Sequence, residues 1–487
     1  MAQDQSIAFD TVLGGISPWM DNGGRATVVG GAIAELVQDQ GAGGCGTVLL
    51  PALSNAHDHG RGLRTVAFGA GDDALEVWIA KLGLEPAVDP YLRAAVAFGR
   101  MALGGVGILN HCHNPQDPDA LLVEAEAVAR AASDVGVRVA FAVPIMGHNP
   151  IAYGDPEPLL AELPPAVAAR LRSRRVPDFA TQLDVAEAVF ALGSDHFIPQ
   201  YGPVGPQWVD ETTLTEIADR SRRHDRRVHM HLLETQAQAQ WGRAAYPGGL
   251  VAHLDQIGLL SDRLTVAHGV WLDDADCARL AAAGVMVSVN TSSNLRLRSG
   301  IAPVARFMQH GLRFGMGLDG MSFDDDEDAL RELRLLWHLQ RGFGVTDVLD
   351  RARLWQAVLY DGRAAILGQD GGGVIAPGAP ADLITLRMDR MTADTIDGRA
   401  SAEDLILTRA TKSDLSGLWI AGRRIVSDGT CLGIDLPALE AELITQARAN
   451  APVIDYAEIA SIEAAYRSYY ACGCHTSLAA GAAWPKS

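Results

Sequence analysis

The chain carries two hydrophobic rhythms. From residue 1 to about 50, short apolar runs are broken by glycine: Thr11-Val12-Leu13, Ala26-Thr27-Val28-Val29 and Ala32-Ile33-Ala34. These predict strands and turns, with no helix. From about 51 to 369 the rhythm changes. Apolar runs of strand length recur at 48–53, 106–110, 137–143, 197–200, 228–231, 264–268, 285–289 and 313–318. Segments with helical spacing lie between them, at 75–82, 90–103, 121–132, 183–192, 212–224, 236–243, 275–283 and 326–339. Strands alternating with helices predict a parallel sheet with crossover helices, an α/β fold. Eight repeats predict closure into a (β/α)8 TIM-type barrel. After about 370 the β and glycine character returns, at 371–378, 381–386 and 417–422. These runs are expected to join the N-terminal ones in a small β-sandwich. The expected division is therefore 1–50 with 370–445 as a composite sandwich, 51–369 as the catalytic barrel, and 446–487 as a C-terminal extension. That extension holds one predicted helix, over 456–470, and a flexible tail.

Polar residues gather where the barrel strands end, the face on which such barrels carry their chemistry. The stretch His229-Met230-His231-Leu232-Leu233-Glu234-Thr235 shows this best. Two histidines one residue apart share a face of a strand, and Glu234 follows where the chain leaves it. A metal-binding imidazole beside a proton-carrying carboxylate is minimum equipment for activating water. Alone, the stretch fits equally well a core strand with two satisfied histidines. The other strand ends decide: His57 and His59 follow the first apolar run, His268 the sixth and Asp319 the eighth. Three imidazoles and a carboxylate suit one Zn²⁺-like ion that keeps a position for water.

Composition narrows the class without naming the chemistry. The length, 487 residues, accommodates one large barrel plus an accessory domain. A formal net charge of -19 disfavours nucleic acid and anionic membrane surfaces as partners. Six scattered cysteines make no disulfide framework. Met1-Ala2-Gln3-Asp4-Gln5 lacks the basic start of a signal peptide, and no apolar run approaches the ~20 residues that span a bilayer. A cytoplasmic protein without a membrane partner is expected.

The ordered set Asn55-Ala56-His57-Asp58-His59, His231-Leu232-Leu233-Glu234-Thr235, Ala267-His268-Gly269, Ser293-Asn294 through Val304 and Gly317-Leu318-Asp319-Gly320 resembles the amidohydrolase superfamily. Within it, the chain resembles the branch of mononuclear-metal deaminases and N- or chloro-hydrolases acting on heteroaromatic rings. That branch includes S-adenosylhomocysteine, guanine and 8-oxoguanine deaminases and the triazine hydrolases. Gly378-Ala379-Pro380-Ala381-Asp382-Leu383 resembles the family's closing β-domain motif, and only the last ~40 residues are without a counterpart. Carried over position by position, the resemblance implies His57, His59, His231 and Asp319 as metal ligands, with His229 a non-ligand. It implies Glu234 as proton shuttle, His268 as hydrogen-bond partner of the substrate's polarised atom, and Asp319 as acceptor of a proton from water. It also implies one divalent ion per subunit, zinc foremost with iron as the alternative, and a homodimer or higher homo-oligomer. No lysine stands at a strand end to bridge a second metal. Two departures appear: Pro51-Ala52-Leu53 replaces the usual Pro-Gly-Leu, and Thr291 follows Asn290 where proline is usual.

The expected reaction is deamination of an amino-substituted purine, pterin, pyrimidine or triazine by metal-bound hydroxide, with release of ammonia. The alternative keeps the site and changes the leaving group to an alkylamine, an amide or urea nitrogen, or chloride. A non-enzymatic metal scaffold fits poorly, because Glu234 and His268 have no purpose in a closed structural site. Arg61, Arg64 and Gln200 are candidate substrate contacts, the arginines as bidentate donors to a carbonyl or carboxylate. His111, His113 and His148 are expected as pocket wall or packing. Cys472-Gly473-Cys474-His475 is too short to close a metal site alone. The acidic run 324–328 lacks the alternation and glycine of a calcium loop and is read as the start of a helix.

Overall fold

A computed structural model describes residues 4–14, 19–21, 23–39, 46–147, 151–174, 176–396 and 399–471. His148, Cys472, Cys474 and His475 lie outside the described residues. Eight strands form one sheet: β1 (Leu53–Asp58), β2 (Val106–Cys112), β3 (Arg138–Ile145), β4 (Phe197–Pro203), β5 (Val228–Leu232), β6 (Leu264–His268), β7 (Met286–Val289) and β8 (Arg313–Met316). Every neighbouring pair in that order is parallel. Across the remaining seam, Asp319 N donates to His57 O at 2.9 Å and Leu318 N donates to Asn55 Oδ1 at 2.8 Å. The result is the nearly closed eight-stranded parallel barrel expected from the alternation. The strands read as near-continuous apolar runs because both faces are buried, one in the barrel and one under helices.

The second sheet draws on both chain ends. Its order is Thr430–Cys431, Arg423–Ser427, Leu415–Ile420, Leu383–Arg387, Thr47–Pro51, Thr11–Leu13 and Trp19–Met20. A three-stranded sheet of Gln5–Phe9, Gly24–Val29 and Ala32–Gln38 packs on it through Phe9, Val28, Ile33, Leu49, Leu383 and Trp419.

Two expectations need correction. The run 48–53 is not one barrel strand. Thr47–Pro51 pairs antiparallel with Leu383–Arg387 in the second sheet, and the barrel begins at Leu53. An unbroken apolar run conceals a change of sheet when both destinations are buried. The segment 370–445 is also not all β: Leu436–Ala449 is a helix that lies on the barrel helix Pro90–Leu103, with Arg100 paired to Glu440 at 2.5 Å. The acidic run does start a helix, with Asp328 accepting from Leu330 N and Arg331 N at the head of Ala329–Gln340. No helix among the described residues is long and apolar enough to cross a membrane.

Candidate active site

Strand ends bring the implicated side chains to one point. On β1, alternation turns His57 and His59 to the same side, and Gly60 turns the chain with φ +57. A Cβ at Gly60 would meet His111 Nδ1 at 2.4 Å, so the turn admits only glycine. On β5, His229 and His231 share a face, and Leu233 enters the left-handed region (φ 47) where the chain leaves the strand for Glu234. His268 (φ 73) and Asp319 (φ 62) take the same unfavourable backbone region. Three non-glycine residues held there, at the ends of β5, β6 and β8, mark a site over-determined by its surroundings.

Four donor atoms converge. His57 Nε2 lies 3.1 Å and His59 Nε2 3.3 Å from Asp319 Oδ1, and His231 Nε2 is 3.4 Å from His59 Nε2. Tetrahedral ligands about 2.0–2.1 Å from one zinc ion sit about 3.3 Å apart, so the spacing fits a divalent ion. His57 Nε2 is also buried without a hydrogen-bond partner. The far nitrogens are all occupied: His59 Nδ1 faces Cys112 O at 2.8 Å, His231 Nδ1 faces Val204 O at 2.7 Å, and His57 Nδ1 faces His229 Nε2 at 2.7 Å. Such outer contacts orient a ligand ring and leave Nε2 for the metal.

Electrostatics agree. Burial, foremost, lowers the imidazoles of His57 and His59, and it brings those of His231 and His268 down to about 4. The rings are neutral at physiological pH, the form that ligates. Burial alone would raise Asp319, but His57, His59 and His268 override it and hold its carboxyl well below the usual range. Glu234 goes the other way. Burial, then the charges of Asp319 and Glu76, push it well above the usual range, against one opposing hydrogen bond from Ser299 at 3.1 Å. Two carboxyls on one cavity are thus pushed in opposite directions.

A single short segment steadies this group. Ser293 Oγ donates to Asp319 Oδ2 at 2.6 Å, His268 Nδ1 faces Asn294 Oδ1 at 2.8 Å, and Ser299 holds Glu234. His268 Nε2 then points between Glu234 Oε2 at 3.5 Å and Asp319 Oδ2 at 3.8 Å. The motif 293–304 was visible in the sequence, but these tasks were not. They depend on where β7 delivers the segment.

A cavity of about 830 Å³ opens over the cluster, lined by His59, His231, Glu234, His268 and Asp319 and walled by Trp78, Leu82, Met146, Val185 and Trp208. Arg61 is in its wall. Arg64 and Gln200 are not among the residues that line it. Arg64 pairs instead with buried Glu327 at 3.6 Å. Gln200, on β4, donates from Nε2 to Asn110 Oδ1 at 2.8 Å, and Asn110 Nδ2 lies 2.7 Å from His229 Nδ1. Gln200, Asn110 and His229 thus form a polar layer beneath His57, a deeper layer of the barrel interior. Asn110 was missed because a lone asparagine in an apolar strand carries no spacing signal. His113 lines the cavity with its nitrogens engaged by His111 and Glu124, at 3.0 and 2.8 Å, while His111 sits behind it as packing.

Barrel and cluster together define a (β/α)8 protein equipped to hold a divalent ion at the carboxyl ends of its strands. The chain belongs to the amidohydrolase family, whose sequence profile matches residues 48–423. It is 31% identical to a 5'-deoxyadenosine deaminase of Methanoregula boonei over 358 residues, covering 72% of this chain and 73% of that protein. It is 32% identical to an 8-oxoguanine deaminase of Pseudomonas aeruginosa over 238 residues, covering 49% and 52% of the two chains. In fold it is similar to an adenosine deaminase from Xanthomonas campestris with bound zinc (TM-score 0.75, 21% identity, covering 92% of this chain and 98% of that one). The fold is also similar to atrazine chlorohydrolase from Arthrobacter aurescens complexed with zinc (TM-score 0.73, 19% identity, covering 90% and 98%).

Proposed function

We propose that the protein is a metal-dependent aminohydrolase that replaces the amine of a heteroaromatic ring, of purine, pterin, pyrimidine or triazine type, with oxygen from water and releases ammonia. One observation carries the reading: a buried carboxyl held well above its usual range, Glu234, lines one cavity with the metal-type donors His59, His231 and Asp319 and belongs to none of the metal-type groups. The names of the relatives support the same class. His57, His59, His231 and Asp319 would hold one ion, and three imidazoles with a carboxylate favour zinc. The ion supplies Lewis acidity that makes water nucleophilic near neutral pH.

The chain's own groups handle the protons. Asp319 Oδ2, steadied by Ser293, accepts a proton as water attacks the ring carbon. Glu234 delivers its proton to a ring nitrogen and regains one from the second hydrogen of the added water as the ring C=O forms, while the proton held on Asp319 leaves with the departing amine. His268, fixed by Asn294, hydrogen-bonds the atom that gains charge as that carbon becomes tetrahedral. The balance is one water consumed, one C–N bond broken and one ammonia released.

The test incubates zinc-loaded protein with aminopurines, aminopterins, aminopyrimidines and aminotriazines and assays ammonia. Ammonia from at least one class, abolished in Glu234→Gln at full metal content, is expected. Release only of chloride or alkylamine from ring analogues, or no turnover of any ring, overturns the reading.

A further inference from the structure

The hydrogen-bonding inventory of the cavity wall is lopsided. Most of its polar side chains are committed elsewhere. Gln116 binds Pro86 O and Val88 N, Gln182 binds Met146 N and O, and Gln238 bridges Glu234 N and Tyr153 Oη. Glu85 is held by Arg93 at 2.9 and 3.2 Å. What remains buried and unpartnered among the described wall residues consists of donors: Arg61 Nε and Nη1, Gln207 Nε2, Trp78 Nε1 and Trp208 Nε1. Unpaired buried polar groups are costly, so a one-sided set of donors calls for a ligand rich in acceptors.

Arg61 is the extreme case. It is 4% exposed, and its one side-chain hydrogen bond among the described residues runs from Nη2 to Asn114 Oδ1 at 3.1 Å. Trp78 lies against the guanidinium, 5.4 Å from ring centroid to Cζ. The acids whose charges reach it are engaged: Glu85 by Arg93, Asp319 by the histidine cluster, and Asp58 by Gly60 N, Asn55 Nδ2 and Gly320 N. A buried cation with unpartnered donors and no direct ion pair among the described residues is expensive, and an incoming anionic or strongly polarised oxygen lowers that penalty. Arg61 stands two residues past His59 in the same cavity lining, and its charge reaches His59 and Asp319 of the cluster. An oxygen that meets it belongs to the reacting ring itself.

We infer that Arg61, with Gln207 as a further donor in the wall, forms a subsite for a ring oxygen, so that the substrate is an oxo-substituted aminoheterocycle of lactam type rather than an oxygen-free adenine-type ring. The inference rests on the aminohydrolase reading and narrows its substrate class. A carboxylate substituent offers Arg61 the same chemistry from a second source, and the experiment separates the two.

The experiment has two parts. Turnover is compared within pairs that differ by one ring oxygen: isoguanine against adenine, guanine against 2-aminopurine, and pterin against 2-aminopteridine. Pterin-6-carboxylate against pterin supplies the carboxylate arm. A hydrogen bond to a charged group is worth about 1.5–3 kcal/mol, so the oxo member of a productive pair should lead in kcat/KM by about 10- to 100-fold. In Arg61→Met that ratio should collapse through KM, and Arg61→Lys should restore part of it, at unchanged metal content. Independently of turnover, calorimetry follows xanthine, which has ring oxygens and no amine to lose, binding to wild type and to Arg61→Met. Tighter binding to wild type supports the subsite even if no ring is deaminated, which would defeat only the aminohydrolase reading. Equal handling of the pair members, or a ratio and xanthine affinity unmoved by Arg61→Met, overturns the inference. A gain confined to the carboxylate arm overturns the assignment to a ring oxygen.

Discussion

The floor of the cavity and its wall are built by opposite means. The floor takes His57, His59, His231, His268 and Asp319 from strand ends, each within a residue or two of a barrel hydrogen bond. The wall is assembled from segments far apart in the chain. Trp78 sits on the helix Leu75–Lys81, and that helix is tied to the C-terminal helix Tyr456–Ala471 by Lys81–Glu463 at 2.7 Å. Arg467 pairs with Asp73, just before the helix. Tyr470 Oη accepts from Tyr153 N at 3.1 Å, and Tyr153 Oη in turn receives Gln238, whose Oε1 caps Glu234 N. Residues more than 300 positions apart thereby set the shape of the space over the floor. Chemistry is encoded locally and selection of what enters is encoded globally, so damage to the two should register in different kinetic constants.

Four substitutions sharpen that contrast. The largest effect belongs to His231→Ala, which removes one convergent donor: elemental analysis should find the metal gone and the ammonia assay should fall to background. Retention of one ion per chain would mean that His231 is not a ligand. Next comes Glu234→Gln, which keeps shape but cannot carry a proton, and turnover should drop by about 10²–10⁴-fold with metal retained. A kcat near wild type would remove Glu234 from the chemistry.

His268→Asn should follow, lowering kcat by about 10²–10³-fold while KM moves little, because its hydrogen bond strengthens as charge develops. Loss of metal, restored by excess zinc, would instead make it a ligand. The smallest effect is predicted for Tyr470→Phe, behind the wall. It leaves the Tyr153 N–H unpaired at a cost of about 1–3 kcal/mol, which should appear as a higher KM and a lower melting temperature with kcat unchanged. A kcat defect of the size seen in the floor variants would erase the distinction between floor and wall.

The sequence by itself determined the barrel, the composite second sheet and the floor. All of these are written in short-range terms: period-two alternation, apolar runs of strand length, and polar residues one or two positions past a run. His57, His59, His231, Glu234, His268 and Asp319 were legible because a parallel barrel aims all its strand ends at one face, so position along a strand already implies a shared location. Tertiary structure alone decided what depends on which strands become neighbours. It turned Gln200 from a candidate substrate contact into a support beneath His57, sent Arg64 to Glu327, and moved Thr47–Pro51 into the other sheet. It also left Arg61 Nε and Nη1 buried without a hydrogen-bond partner among the described residues and brought the C-terminal helix over the cavity wall. Pairing, burial and unsatisfied donors are properties of contacts between distant segments, and the spacing of residues within one segment carries no record of them.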